Sequence, residues 1–257
     1  MPLYLELRQL QRVNREFLHY VRRNLPSRFY GGEKMWKVHV AAALSRMCNN
    51  VEAIMALMTR HQDDDALVLV RSLYEQAVVL SWVVIDPEAR HERWAGESNR
   101  ELLKLHRESL PYGETILSPA EVAICKASTG TPSVEAMARQ ADKYWPRRVH
   151  GLHGPGHWFS FHGLYQGIYR IASRPAHGSL QGLEPYVRRE STRYTVVARP
   201  QERRVYYSFA APLLGIALII ASQRFQWLLD GGRVRRFVDR ATAETARRRQ
   251  RACGEMK

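Results

Sequence analysis

One apolar stretch, ALVLVRSLYEQAVVLSWVVID, constrains the fold of this chain more than any other segment. It predicts a helix over about residues 65–86, and the preceding HQDDD supplies an N-cap and an acidic first turn. Apolar residues cover this helix nearly all the way round, so most of its surface must pack against other elements. We therefore expect a multi-helix bundle in which this helix is buried on most sides.

Helical periodicity also dominates the rest of the chain. Leucine, phenylalanine and valine recur at three-, four- and seven-residue steps and predict an amphipathic helix over 3–24. Further helices are predicted over about residues 33–60, 87–109, 119–127, 132–145, 157–173, 203–229 and 232–250. The segment TRYTVVARP has β-type composition and predicts a short strand or irregular insertion near 190–200.

The predicted fold class is an all-α bundle in a single domain over 1–257. Within that domain we distinguish an N-terminal amphipathic segment, 1–30, and a basic C-terminal helix or tail, 231–257. The span from Val205 to Gln223 holds 19 uncharged residues, which is long enough for a membrane helix. Its polar and helix-weakening residues favour a buried bundle helix instead, and we expect no stable membrane insertion.

Positive charge is concentrated in three arginine-rich segments. The formal net charge is +14, and 33 of the 39 basic residues are arginine. The whole excess falls in 1–30, 188–204 and 231–257, whereas 31–187 is neutral. Clustered arginines suit an anionic partner such as nucleic acid, because counterion release scales with the phosphates that one patch neutralises. Solvated helix faces and contact with a membrane surface are the alternatives.

The cysteines and the N-terminus bear on the compartment. Cys48, Cys125 and Cys253 lie far apart, are odd in number and exclude a disulfide framework. The start, MPLYLELRQL, lacks the basic and apolar regions of a secretion signal. We therefore expect a cytoplasmic protein.

Two charged residues interrupt the apolar helix at 65–86. Arg71 and Glu75 are four residues apart and share one face. Because an unpaired buried charge is very costly, they must pair with each other or with neighbouring helices. The pair either fixes helix register or lines a polar cavity that orients a substrate. On the preceding helix, His39, Arg46 and Asn50 form a stripe that faces the same cavity or marks the solvent edge.

The segment GLYQGIYRIASRPAHGS holds a second candidate site. On a helix, Tyr169 and Ser173 share a face. Arg170 and His177 form an Arg-x6-His pattern of the kind that HEPN-type ribonucleases use. In those enzymes the histidine transfers protons and the arginine stabilises charge on the phosphate. Pro175 interrupts the helix between the two residues.

A run of histidines, HGLHGPGHWFSFH, precedes that segment and comprises His150, His153, His157 and His162. Imidazoles this close together can bind zinc, but no cysteine lies near and the spacing matches no familiar zinc motif. We therefore assign no metal and no cofactor. A phosphate-binding loop, a GxSxG elbow and a dinucleotide fingerprint are also absent from the sequence. A small-molecule enzyme built around these histidines is one functional alternative.

Two segments together resemble a widespread bacterial helical family of unassigned function. RSLYEQAVVLSWVVIDPEAR carries Arg-x3-Glu with a following tryptophan, and HWFSFHGLYQGIYRIASRPAHGS carries a Tyr-Arg…Ser…His pattern. The resemblance spans about 35–225 and singles out Arg71, Glu75, Trp82, Tyr169, Arg170, Ser173 and His177. Such families are similar in outline to HEPN bundles, some of which cut or bind RNA in bacterial defence systems. Ile171 stands where HEPN ribonucleases usually carry a polar residue.

The first functional hypothesis is a cytoplasmic protein that binds nucleic acid, RNA rather than DNA, through its arginine-rich segments. In its catalytic form it is a metal-independent ribonuclease with a polar cavity of Arg71, Glu75, Arg170 and His177. There His177 is the general acid–base, Arg170 stabilises the phosphate and Glu75 orients an arginine.

The residues assigned to substrate binding are Tyr169, Ser173, His39, Arg188, Arg189, Arg203 and Arg204. The alternative hypothesis is a non-catalytic interaction module whose polar residues fix the packing and whose arginine-rich tail docks an acidic protein. For the oligomeric state, a homodimer is one of the alternatives.

Overall fold

The computed structural model describes residues 2–26, 28–29, 34–60, 62–145, 160–170, 172–173, 187–190, 193–196, 210–225 and 232–240. This part of the chain is predominantly helical, which confirms the predicted all-α class. The helices are α1 (Pro2–Asn24), α2 (Met35–Thr59), α3 (Asp63–Val83), α4 (Pro87–Ser109), α5 (Pro119–Ala127), α6 (Val134–Tyr144), α7 (Phe161–Leu164), α8 (Ala210–Phe225) and α9 (residues 232–240). A 3-10 turn follows α4 at Leu110–Tyr112, and a π-helical turn continues α7 over Tyr165–Tyr169.

Helix α3 packs against α2, α4, α6 and α8. Leu73, Tyr74 and Trp82 on this helix are fully buried, because neighbours cover nearly all of its circumference. This arrangement explains why its sequence is apolar on almost every side. The helix begins after Gln62, whose side chain makes no capping hydrogen bond within the described residues. HQDDD therefore supplies the N-cap residue, as predicted, but the side chain of that residue makes no capping hydrogen bond among the described residues.

Helix α8 is also part of the core, and residues 212–221 are buried. This burial agrees with the bundle helix predicted for the apolar span from Val205 to Gln223. At Gly215 the helix approaches α9 so closely that an added side chain would collide with Val238. Among the described residues, Asp64–Val83 is long and apolar enough to cross a membrane, but 61% of that window is buried inside the fold. The core helix of a helical bundle has the same length, apolar composition and burial.

The predicted helix over 157–173 differs most from the structure. Its described part begins with α7, where the hydroxyl of Ser160 accepts a hydrogen bond from the Gly163 backbone N–H at 2.9 Å. After four residues the helix widens into the π turn. The π turn is wider than the regular 3.6-residue helix that the sequence predicts over this segment.

A short antiparallel pair of strands accounts for the predicted β-like insertion. Strand β1 covers Val187–Glu190 and β2 covers Arg193–Val196, with Val187 opposite Val196. Both strands carry arginines from the second arginine-rich segment, 188–204.

Candidate functional site

Arg71 and Glu75 share one face of α3, as their spacing predicts, with Nε and Oε1 3.2 Å apart. Tyr169 joins them from the π turn: its hydroxyl donates to Glu75 Oε1 at 3.0 Å, and Arg71 Nη2 donates to that hydroxyl at 3.4 Å. The Arg71 guanidinium also lies over the Tyr169 ring, 5.1 Å from its centroid. We call these three residues the charged cluster. Its members satisfy one another's polar atoms.

The charged cluster is half-buried, with side-chain exposures of 21% for Arg71 and 35% for Glu75. Burial lowers the pKa of Arg71, but contacts with Tyr169 and Glu75 outweigh this effect and the net pKa is raised. Burial and the neighbouring Glu75 raise the pKa of Tyr169. Arg71 therefore stays charged and Tyr169 stays protonated at neutral pH. These two groups hold charge and hydrogen bonds rather than transfer protons.

Aromatic packing holds Tyr169 in the charged cluster. Its ring lies 5.4 Å from the Tyr74 ring and is stacked on Tyr165 at 4.9 Å between centroids. Tyr74 is itself fixed, because its hydroxyl donates to the Phe161 carbonyl at 2.7 Å. Burial, followed by the charge of Asp142, raises the pKa of Tyr74. Helix α3 thus positions both the start of α7 and the turn that follows it.

Asp142 on α6 anchors the same segment from the other side. Its carboxylate accepts hydrogen bonds from the Ser160 hydroxyl at 2.7 Å and from the backbone N–H groups of Phe161 and His162 at 2.8 Å. A carboxylate in this position caps the helix start and complements its dipole. The N-terminus of α7 is therefore fixed by a residue on α6.

Arg170 does not join the charged cluster within the described contacts. It is exposed, and its Nη1 donates to Gln166 Oε1 at 3.3 Å. The Ser173 hydroxyl donates to the Tyr169 carbonyl at 2.7 Å and so caps backbone rather than facing a cavity.

The other predicted site residues lie elsewhere. His177, Arg203 and Arg204 fall outside the described residues, and Arg188 and Arg189 belong to β1. His150, His153 and His157 also fall outside them, whereas His162 Nε2 lies 3.3 Å from Glu135 Oε1. In the part of the chain that the structure describes, no group of three or more histidine, cysteine or acidic residues is placed to hold a metal.

His39 and Arg46, the first two residues of the predicted α2 stripe, line a groove with a volume of about 710 Å³ between α2, α3 and α4. We call it the α2–α4 groove. Glu75 lines it as well, so these three predicted residues do face one cavity. Asn50, the third residue of the stripe, does not line this groove; its Nδ2 is buried with no partner among the described residues.

His39, which lines the α2–α4 groove, contacts His91 on α4. His39 Nδ1 and His91 Nε2 lie 2.8 Å apart, and both rings meet Trp94 edge-on at 6.4 and 6.3 Å between centroids. Burial and, after it, the charge of His39 lower the pKa of His91. At this distance one ring nitrogen donates a proton and the other accepts it. Sequence analysis missed His91 and Trp94, because no local pattern on α4 links them to α2.

A separate site forms where two arginine-rich segments meet. Phe17 and Tyr20 on α1 pack against Phe237 on α9, with ring centroids 5.3 and 5.9 Å apart. Glu16 Oε2 lies 3.2 Å from Arg240 Nη1, and the Arg233 guanidinium covers the Tyr20 ring at 4.7 Å. The described parts of two segments that are far apart in sequence, α1 and α9, thus share one surface.

Exposed arginines surround this junction. We define the composite basic face by Arg12, Arg23, Arg233, Arg236 and Arg240. The carboxylate of Glu16 lies among them; its hydrogen bond from Arg12, then its contacts with Arg240, keep the pKa low against burial. Guanidinium groups therefore outnumber carboxylates, and the face carries net positive charge at neutral pH.

Comparison with known proteins assigns the central part of the chain to a family. No curated protein and no solved structure matches it. Residues 37–194, more than half of the chain, match a family of unknown function, DUF5677. The matched range contains the charged cluster and the α2–α4 groove, whereas the composite basic face lies outside it. It also contains both sequence motifs that suggested a family of unassigned function. The chain therefore belongs to DUF5677.

Proposed function

We propose that the protein binds nucleic acid, RNA rather than DNA, through the composite basic face. The observation that carries the proposal is the packing of α1 on α9, which merges arginines from the two ends of the sequence into one surface. A merged patch neutralises several phosphates at once, and the released counterions favour binding. Arginine also provides two parallel hydrogen bonds to one phosphate.

The chemistry of the face suits a phosphate backbone better than a single acidic side chain. Arg23 and Arg236 are exposed, and Arg12 and Arg240 share Glu16. The preference for RNA rests on the similarity in outline between such helical families and HEPN bundles, some of which cut or bind RNA. A test of the proposal therefore includes DNA and an acidic polypeptide.

The test measures binding of the full chain to a labelled single-stranded RNA, a DNA of the same sequence and polyglutamate across a salt series. Arg23→Gln with Arg236→Gln should lower RNA affinity by about tenfold and flatten the salt dependence. Arg60→Gln with Arg107→Gln removes the same charge from exposed sites elsewhere and should change affinity less than about twofold.

Equal losses in the two double variants, or an affinity that does not depend on salt, would overturn the proposal. Binding to polyglutamate without binding to RNA or DNA would instead identify an acidic protein as the partner.

In its catalytic form, the proposal assigns proton transfer to His177 and phosphate stabilisation to Arg170. Arg170 is exposed, and the charged cluster holds the residue before it. In this form Arg71 and Glu75 act through Tyr169, as positioning residues for the turn that carries Arg170. The guanidinium is thus presented by a fixed segment, as transition-state stabilisation requires.

The catalytic form is tested by RNA cleavage in the presence of EDTA, because the assigned residues act without a metal. Wild-type protein should cleave, and His177→Ala and Arg170→Gln should each lose cleavage while retaining RNA binding and the helical circular dichroism spectrum. If folded wild-type protein binds RNA but does not cleave it, the catalytic form is wrong and the binding proposal stands.

A further inference from the structure

The α2–α4 groove contains polar groups that the fold leaves unused. Its floor is formed by α3, with Ser72, Gln76 and Val79 over about 10 Å of helix axis. Its walls are α2 and α4, which present small side chains such as Ala42 and Ala95. Because these side chains are small, they leave a slot open between the two walls. The slot lies in the volume range of small-molecule sites.

Gln76 supplies the first unused group. Its Nε2 donates to the Ser72 hydroxyl at 2.9 Å, which fixes the orientation of the amide. Its Oε1 is buried and has no hydrogen-bond partner among the described residues. A buried unpaired carbonyl costs free energy, so it favours a ligand that brings an N–H or O–H donor. The Ser72 hydroxyl beside it still has its own proton to donate.

Arg46 supplies the second unused group. It lines the groove, is exposed and makes no ion pair among the described residues. Arg46 and Gln76 lie equally far from the short α2–α3 connection, so they are level with each other on these antiparallel helices. Glu75 also lines this region, but Arg71 neutralises its charge. Within the described residues, the groove thus presents an unpaired cation beside a hydrogen-bonding edge.

Trp94 supplies an aromatic wall at the same level. It is half-buried on α4, and the His39 and His91 rings contact it edge-on. The ligand that fits these three features has a flat aromatic body, an edge that both donates and accepts hydrogen bonds, and an anionic group. Aromatic side chains stack on nucleobases, whose edges carry both donors and acceptors.

We propose that the α2–α4 groove binds a nucleoside monophosphate unit, with its base between Trp94 and Gln76 and its phosphate at Arg46. None of these residues belongs to the composite basic face, so this inference stands apart from the proposed RNA binding. The unit is either a free mononucleotide or one nucleotide of a short RNA, and both present the same chemistry.

The test titrates the full chain with the four ribonucleoside 5′-monophosphates, the corresponding nucleosides and a 5′-phosphorylated RNA trinucleotide, followed by calorimetry. At least one monophosphate should bind with a Kd below about 1 mM. Arg46→Gln should weaken monophosphate binding about tenfold and leave nucleoside binding unchanged, because it removes only the phosphate contact. Gln76→Leu should weaken both, because it removes the acceptor that the base uses.

Arg60→Gln and Gln62→Leu are the matched controls, since both residues are exposed and lie outside the groove. Tighter binding of the trinucleotide than of any monophosphate identifies RNA as the source of the unit, and the reverse identifies a free nucleotide. The inference is overturned if none of these ligands binds, or if Arg46→Gln and Gln76→Leu bind as the controls do. The Arg23→Gln, Arg236→Gln variant should bind monophosphates normally, which separates this result from the outcome for the composite basic face.

Discussion

The charged cluster and the α2–α4 groove lie on neighbouring faces of α3 and contain the same kinds of side chain, yet their polar atoms are paired differently. In the charged cluster, Arg71, Glu75 and Tyr169 satisfy one another. In the groove, Gln76 Oε1 and Arg46 have no partner among the described residues. A paired cluster stabilises the fold, whereas unpaired groups around an open slot are available to a ligand. Residue type alone does not separate the two cases.

The largest expected effect comes from the anchor of the charged cluster. Asp142→Ala should lower the free energy of unfolding by about 3 kcal/mol, because three donors at the start of α7 lose their acceptor. Urea unfolding measures the change. Lys143→Ala, at the exposed neighbouring position, should have an effect within about 0.5 kcal/mol. Similar losses in the two variants would show that Asp142 does not hold α7.

A smaller loss is expected when the charged cluster itself is broken. Glu75→Ala should cost about 2 kcal/mol, since it leaves the half-buried Arg71 without its carboxylate and Tyr169 without its acceptor. On the groove side, Arg46→Ala should change the free energy of unfolding by less than about 0.5 kcal/mol. If the two substitutions cost the same in urea unfolding, the contrast between the two faces of α3 is wrong.

Two glutamines test the pairing argument directly. Gln140 Oε1 accepts a hydrogen bond from the buried Trp82 Nε1–H at 2.8 Å, so Gln140→Leu should cost about 1 kcal/mol. The carbonyl of Gln76 is unpaired, so Gln76→Leu should be neutral or stabilising in the absence of ligand. Thermal unfolding of the two variants side by side checks whether Gln140→Leu loses stability and Gln76→Leu does not. A destabilised Gln76→Leu variant would mean that the carbonyl has a partner in solution.

The smallest expected effect is on how the free energy of unfolding depends on pH, through His91. The pKa of His91 in the fold lies below its ordinary value of 6.5, so the unfolded chain binds more protons between the two values. Stability contributed by neutral His91 is therefore present above pH 6.5 and falls as the pH drops through this window. His91→Gln should flatten the difference in urea midpoint between pH 7.5 and pH 5.5, and His19→Gln should not. An unchanged difference in His91→Gln would contradict the assignment.

Sequence analysis predicted those features that depend on local spacing. The all-round apolar character of α3 predicted its burial, and the four-residue spacing of Arg71 and Glu75 predicted their shared face. Their pairing with each other was one of two alternatives. The shared cavity for His39 and Glu75 was one of two alternatives for the α2 stripe. In each case neighbours on a helix report directly on the direction of a side chain.

The features that were missed depend on contacts between distant segments. Asp142 lies in an ordinary amphipathic helix, and nothing nearby marks it as the cap of another helix. His91 and Trp94 gain their roles only when α4 folds back along α3. The π turn that brings Tyr169 to Glu75 was also missed, because an insertion of one residue into a helical turn leaves no trace in periodicity.

The close approach at Gly215 has a consequence for how the chain can be shortened. By composition the last arginine-rich stretch resembles a dispensable solvent tail, but Val238 fits against the bare backbone of α8 and Phe237 covers Phe17. Truncation before residue 232 would remove α9, which covers this part of the core, and leave aromatic side chains exposed to water. Helices α1 and α9 cover each other's aromatic side chains, and removing either helix should promote aggregation.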